Sequence, residues 1–558
     1  MPPATRSATT RSATTRCATR ARAATGAVAA AVLASALLTA AAPPGAAGAD
    51  AHCARRAQLR VPGAALQRAD CLAELTTAGT VASGHTDPAD WAGLTPKDLA
   101  VPTGVPGIQI DGYFPDTPAA TAAPNTNNGW NHDAQFVIRL PDHWNGGLVV
   151  AGSPGVREQY ANDRAIGDWV LSRGYAFAAT DKGNTGTAFH RDGRAPGDAV
   201  AEWNTRVTQL TRAARAVVAQ RYHRAPSRTL ATGMSNGGYL VRWQLENHPE
   251  LYDGGVDWEG TLWRAEGPNL LTFLPPALAA YPRYAAGGPD AGEAHARMLA
   301  AGYPAGSEFL WPFHHAYYWD LTQRIYREEF DPGFDGPAEA GTPFCAPGTP
   351  ACDADYAYAE RPAEVRRAVA GTALTGRIGK PLITLHGTLD VLLPISRDSD
   401  VYADMVRRAG RGGLLRYYRI EGGTHVDSLV DAFPDRLRPL TPCHRSAFPG
   451  LGGRSLLLIT PGRGCTCANC RTPRRGPAPP APCAGFGAAG GTAPPAPPWP
   501  PGSPPGGGAD APGVTSPGVP EGDAPGLWLP LPDTGADTEA DGSRPAVGAS
   551  DCRPRGSM

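Results

Sequence analysis

Gly233-Met234-Ser235-Asn236-Gly237 decides the fold. A short apolar run, Thr229-Leu230-Ala231-Thr232, precedes it, and a helix-like run over 239–247 follows, stopped by Pro249. The pattern is G-x-S-x-G set between a strand and a helix. At such a turn the serine takes a strained backbone conformation that only small neighbours tolerate. Glycines two residues before and two after it let strand and helix approach closely. The Ser235 hydroxyl is then held above the sheet edge as a nucleophile elbow.

A bare G-x-S-x-G is a weak signal in a chain with 68 glycines. What decides it is whether an acid and then a histidine follow in the order this turn requires. They do. Pro381-Leu382-Ile383-Thr384-Leu385-His386-Gly387 reads as a buried parallel strand, with Asp390 just past its end. A second strand-like run over 414–420 empties into Glu421-Gly422-Gly423-Thr424-His425. Asp390 and His425 therefore belong to loops after strands, at the carboxyl edge where open sheets of this kind place their chemistry.

A serine hydroxyl is a poor nucleophile until a base takes its proton during attack. His425 is the expected base, and later the acid for the leaving group. Asp390 is expected to hold its tautomer and stabilise the imidazolium. The run 254–259 reads as the strand after the elbow helix, and Asp257 or Glu259 at its end is the alternative source of the acid. An oxyanion hole needs two N–H donors. Asn236 is expected to give one, and the loop Gly152-Ser153-Pro154-Gly155 the other. Pro154 has no N–H, so Ser153 is the expected donor and Gly152 the reserve.

The 558 residues suffice for a large core, and a formal net charge of −1 without a basic stripe points away from nucleic acid. No apolar run in the body is long enough to span a bilayer. Residues 1–49 carry no Asp or Glu; Arg6, Arg11, Arg16, Arg20 and Arg22 precede an Ala/Leu/Val run, and Ala47-Gly48-Ala49 offers a small-residue cleavage site. This predicts a secretory signal peptide, a secreted protein and a compartment that permits disulfides. Cys53 with Cys71, Cys345 with Cys352, and Cys443 with Cys552 are candidate pairs, although connectivity does not follow from sequence. Cys465-x-Cys467-x-x-Cys470 lacks a second ligand pair, so no metal is expected there.

Strand-like runs at 108–113, 135–140, 147–151 and 175–180 alternate with helix-like runs near 163–172 and 198–221. On the 198–221 run Trp203, Val207, Leu210, Ala214, Val217 and Val218 recur at helical spacing. This rhythm predicts an α/β protein with a mostly parallel sheet covered on both faces. The expected layout is a signal peptide at 1–49, an N-terminal extension and sheet edge at 50–125, and a first core part at 126–260. A cap insertion follows at 261–372, a second core part at 373–448, and a Pro/Gly-rich tail at 449–558, disordered for the most part. The insertion is rich in aromatics, and Trp311 and Trp319, with Trp258 and Glu259, are the candidates for the substrate pocket. The alternative is that these aromatics merely form the core of the cap itself.

From Gly107 to about Phe448 the chain resembles secreted bacterial α/β-hydrolases of the tannase/feruloyl esterase and 3-hydroxybutyrate oligomer hydrolase kind. The residues that carry the resemblance are Gly233-Met234-Ser235-Asn236-Gly237-Gly238, Asp181-Lys182-Gly183, His386-Gly387 with Asp390, and Gly422-Gly423-Thr424-His425. The resemblance implies the α/β-hydrolase fold and an ester substrate, a hydroxyalkanoate oligomer or an aromatic ester. Tannase-type enzymes join a cysteine before the nucleophile to one after the histidine; here those neighbours are Met234 and Val426. The expected activity is a serine hydrolase acting on carboxylic esters through an acyl-enzyme, without metal or organic cofactor. A serine peptidase or aminopeptidase is the alternative on the same residues, with Asp257 and Glu259 holding the amine; a non-catalytic binding protein is the third.

Overall fold

The structure is a computed structural model and describes residues 58–117, 125–334, 353–451 and 470–471. Ten strands form one sheet: β1 Leu66–Leu72, β2 Gly107–Tyr113, β3 Gln135–Pro141, β4 Gly147–Gly152, β5 Ala176–Thr180, β6 Arg228–Met234, β7 Gly254–Trp258, β8 Leu382–Gly387, β9 Leu415–Ile420 and β10 Cys470–Arg471. Their order is β1-β2-β3-β5-β4-β6-β7-β8-β9-β10. Pairing is parallel from β5 through β4 to β9, and antiparallel among β1, β2, β3 and β5 and between β9 and β10.

The parallel strands β4, β5, β7 and β8 are buried along their whole length on both faces, whereas β9 leaves Arg416 and Arg419 half-buried. Alternation along β4 is explicit: Leu148 and Val150 join one apolar cluster, Val149 and Ala151 the other. Helix α1, Asp198–Tyr222, buries Trp203, Val207, Leu210, Ala214, Val217 and Val218, the residues that its spacing predicted. Helix α2, Asn236–Asn247, follows the elbow directly. Antiparallel edge, parallel centre and crossing helices together make this the α/β-hydrolase fold.

Between β7 and β8 lie α3 Leu270–Ala286, α4 Ala291–Ala301, α5 Trp311–Tyr317, α6 Trp319–Phe330 and α7 Ala363–Thr372. Helix α8, Ser399–Arg408, links β8 to β9, and α9, Thr441–Leu451, comes after β9. The last helix therefore forms across Pro449, where the composition breaks: the His444 ring donates to or accepts from the Thr232 hydroxyl at 2.8 Å, and Phe448 lies against Trp169 and Tyr175.

Two strands were not expected. β1 reads LQRADCL, with a polar outer edge that shows no apolar period; its register, Leu66 opposite Tyr113, comes from β2. β10 is a two-residue extension. The expected helix at 163–172 is two pieces. A wide turn over Asp163–Gly167, closed by Gly167 N–H to the Asn162 carbonyl at 2.9 Å, precedes a helix over Asp168–Ser172. The expected signal peptide lies outside the described residues, as do most of the tail and Cys53, Cys345, Cys352 and Cys552 of the candidate disulfide pairs. Among the described residues no helix is long and apolar enough to cross a membrane.

Candidate active site

The elbow is built by close approach. A Cβ on Gly233 would stand 2.5 Å from the Gly237 carbonyl carbon, a distance that only glycine avoids. Ser235 takes φ 57 and ψ −120, outside the regions that a residue with a Cβ prefers. Its N–H donates to the Trp258 carbonyl at 2.9 Å, and its carbonyl accepts from Thr261 at 3.2 Å. The strain is thus held by bonds to the next strand and to the start of the insertion.

His425 Nε2 stands 3.1 Å from Ser235 Oγ, and His425 Nδ1 stands 2.7 Å from Asp390 Oδ2. All three side chains are buried. Asp390 Oδ1 accepts from the N–H groups of Leu392 and Leu393 at 2.8 and 2.9 Å. Burial alone would raise the Asp390 carboxyl, but the charge of His425 and the hydrogen bonds of His386 and His425 outweigh it and hold it below the ordinary range. Geometry and charge together suit a nucleophile, its base and an orienting acid.

A buried ionic frame lies beneath. Asp257 Oδ2 accepts from Arg242 Nε at 2.6 Å and from the Thr384 hydroxyl at 2.9 Å. Arg242 also donates to Asp398 Oδ1 at 2.8 Å and to Ser399 Oγ at 2.6 Å. Ser399 Oγ meets His386 Nδ1 at 2.7 Å, and His386 Nε2 meets the Leu393 carbonyl at 2.8 Å and Asp390 Oδ2 at 3.2 Å. Asp257, one alternative acid, is therefore turned to Arg242 and away from His425. Glu259, the other, has its Oε2 3.7 Å from His425 Nδ1. Ligand atoms of Glu259, His386 and Asp390 lie within 4.8 Å of one another, a spacing that a metal could bridge. The bonds of His386 and Asp390 already account for that grouping, and a cation there would compete with His425 for Asp390.

The loop after β4 corrects one expectation. The Ser153 N–H donates to the Thr180 carbonyl at 3.1 Å, so it is not free for an oxyanion. Ser153 Oγ donates to the Arg157 carbonyl at 2.6 Å and accepts from the Lys182 ammonium. Lys182 is fully buried beside Trp203, and burial lowers it to about 7. It braces the loop from below. Gly155 and Val156 of the same loop, with Ser235 and Asn236, line a cavity of about 40 Å³. The Asn236 amide donates to the Gly155 carbonyl at 2.9 Å and to the Tyr326 hydroxyl, and accepts from the Thr261 hydroxyl at 3.0 Å.

Leu270, Tyr317, Tyr318, Leu321, Ile325 and Tyr326 close the cavity from the insertion. The expected pocket residues are elsewhere. Trp258 is buried against His444, Trp311 against Tyr284 and Tyr303, and Trp319 donates to the Val391 carbonyl at 2.8 Å. All three aromatics offered for the pocket are core. The lining tyrosines carry no motif; Tyr326 meets Asn236 across 90 residues. A groove of about 1190 Å³ along α1 shares no residue with the triad.

Residues 120–257 match the family described as "Tannase and feruloyl esterase". The chain is similar to the mono(2-hydroxyethyl) terephthalate hydrolase of Piscinibacter sakaiensis, 32% identical over 145 residues. That match spans 23% of this chain and 24% of the relative, so the chain covers about a quarter of the relative's length. Among solved structures it is similar to feruloyl esterase B from Aspergillus oryzae, at 12% identity and a TM-score of 0.42, over 67% of this chain and 83% of that one. It is also similar to the tannin acyl hydrolase from Aspergillus niger, at 13% identity and a TM-score of 0.35, over 64% and 84%. Over residues 120–257, on an α/β-hydrolase fold, the chain resembles the tannase and feruloyl esterase group.

Proposed function

We propose that the protein is a serine hydrolase of carboxylic esters. The observation that carries this reading is the relay from Asp390 through His425 to Ser235, at 2.7 and 3.1 Å. In the proposed cycle His425 takes the Ser235 proton as Oγ attacks the ester carbonyl. The oxyanion is met by the Asn236 N–H and by backbone of the 155–156 loop. His425 protonates the leaving alcohol, and then activates the water that hydrolyses the acyl-enzyme. His425 carries both protons, that of Ser235 to the leaving alcohol and that of the water back to Ser235.

The cavity beside Ser235 is small. By the same measure a water needs about 10–15 Å³, so 40 Å³ holds a few waters and no ester. Substrate entry therefore requires displacement of the segment from α5 to α6, which brings Tyr317, Tyr318 and Tyr326. The apolar lining supports an acyl or aromatic group rather than a charged one. The peptidase alternative loses its amine site: Asp257 is bound to Arg242, and Glu259 is fully buried. The N-terminal pattern supports secretion.

Hydrolysis of p-nitrophenyl esters of graded acyl length tests the reading, with Ser235→Ala as control. Turnover that vanishes in the variant supports it. A folded protein that neither turns over esters nor reacts with a fluorophosphonate probe overturns it.

A further inference from the structure

Glu259 follows β7 directly and has φ 50, a left-handed conformation uncommon for a residue with a Cβ. Its N–H donates to the Leu385 carbonyl at 2.8 Å. Its Oε1 accepts from the Gly387 N–H at 2.6 Å. These bonds aim the other oxygen, Oε2, at the triad. Oε2 is buried and accepts no hydrogen bond from the described residues. It stands 3.7 Å from His425 Nδ1, while Asp390 Oδ2 holds the nearer place at 2.7 Å. The two carboxyls follow neighbouring parallel strands, since Trp258 of β7 is in register with Leu385 of β8.

Two carboxyls this close in a dry site do not both ionise. Burial first, then the charge of Asp390, push Glu259 well above the ordinary range, with Asp427 and Asp257 adding to it. His425 and His386 are the basic groups on the facing elements, and both are hydrogen-bonded to or paired with Asp390. Asp390 is thus the anion and Glu259 the neutral acid.

We propose that Glu259 is a reserve acid of the triad, a positioning residue whose Oε2 can replace Asp390 Oδ2 on the Nδ1–H of His425. The inference rests on the reading that Ser235 and His425 are the working pair. Removal of the Asp390 carboxylate takes away the strongest charge that keeps Glu259 protonated. Glu259 then releases its proton to solvent, and its carboxylate closes on His425. The competing role is structural only: a clamp on the Gly387 N–H.

Four variants separate the two roles: Asp390→Ala, Asp390→Ser, Glu259→Gln and Asp390→Ala with Glu259→Gln. The first readout is kcat for a p-nitrophenyl ester across pH. The second is the deshielded proton resonance of His425 Nδ1–H in the resting protein. Loss of the only orienting acid of a triad costs about 10⁴-fold. With a reserve acid, Asp390→Ala loses about 10²-fold and the double variant about 10⁴-fold, a non-additive pair. Glu259→Gln alone loses about 3- to 10-fold, the size of one weakened hydrogen bond. Asp390→Ala gains an acid limb absent from the double variant, and its Nδ1–H resonance persists until Glu259 is also changed. Asp390→Ser can still accept from the Leu392 and Leu393 N–H groups, and it repeats the comparison if the alanine variant does not fold. Equal losses in the single and double Asp390 variants, with no Nδ1–H resonance in either, overturn the proposal. So does a Glu259→Gln effect of the same factor with and without Asp390. If the wild type shows no Ser235-dependent turnover, the functional reading fails, and the resonance comparison still decides the role of Glu259.

Discussion

The side-chain amide of Asn236 donates to the hydroxyl of Tyr326. One residue follows the nucleophile; the other belongs to a helix of the insertion. The same amide holds the Gly155 carbonyl at 2.9 Å. The turn at Ser235, the loop at Gly155 and the insertion are therefore linked through one amide group, and the position of the insertion is coupled to the geometry of the elbow.

Tyr326→Phe removes the acceptor and little volume. A single lost hydrogen bond is worth about 0.5–1.5 kcal/mol. The expected result is a fall in kcat of about 3- to 10-fold with a smaller change in KM, because Asn236 is loosened where the oxyanion develops. Steady-state kinetics on one ester checks it; an effect on KM alone would place Tyr326 in substrate binding instead.

Arg242→Met leaves Asp257 and Asp398 buried without their cation. Burial works against the Arg242 charge, but Asp257 and Asp398 outweigh it and keep it ionised. Breaking such a pair costs about 3–5 kcal/mol. Urea denaturation should show a loss in that range. A loss below about 1 kcal/mol, typical of an exposed pair, would mean that the frame does not bear on stability.

A cluster of carboxyls near the end of β5 makes stability depend on pH. Burial first, then Asp181, push Asp133 up to about 8. Burial also raises Glu202 to about 8, with Arg206 opposing and Asp192 adding. An acid whose pKa is higher folded than unfolded favours folding while it is protonated. Its contribution is complete below the unfolded value of about 4 and is lost as pH rises towards about 8. Thermal midpoints should fall between those limits, and Asp133→Asn should flatten the fall. An unchanged slope in that variant would remove Asp133 from the explanation.

Gly233→Ala puts a methyl group 2.5 Å from the Gly237 carbonyl carbon. Both partners are backbone and cannot step aside. Activity should fall more than about 100-fold, with a stability loss of about 1–3 kcal/mol from overpacking. Calorimetry and fluorophosphonate labelling together check this; a stable protein that labels at the wild-type rate would show that the elbow tolerates the change.

The residues proposed for catalysis were legible because each is fixed by local chemistry. Gly233 and Gly237 mark the turn at Ser235, and Asp390 and His425 follow recognisable strands. Strands β2 to β9 were legible from their apolar runs, although their order in the sheet was not. What escaped was set by contacts between distant segments. The N–H of Ser153 meets Thr180, which is visible only once β4 and β5 are paired. Trp258, Trp311 and Trp319 share the composition of a pocket wall but are held in the core, whereas Tyr317, Tyr318 and Tyr326 reach the cavity. Aromatic content identifies a cap without telling its outer layer from its inner one. β1 was missed because a polar edge strand has no periodic signature.

The cavity beside Ser235 draws its reacting groups from the sheet and its closing walls from the insertion between β7 and β8. The Ser235, Asp390 and His425 side chains and the walls that cover them thus come from separate stretches of chain, joined through Asn236 to Tyr326 and Thr261. On the proposed function, a transplanted insertion would change which ester is accepted while leaving Ser235, Asp390 and His425 in place, so that one sheet is open to refitting for many substrates.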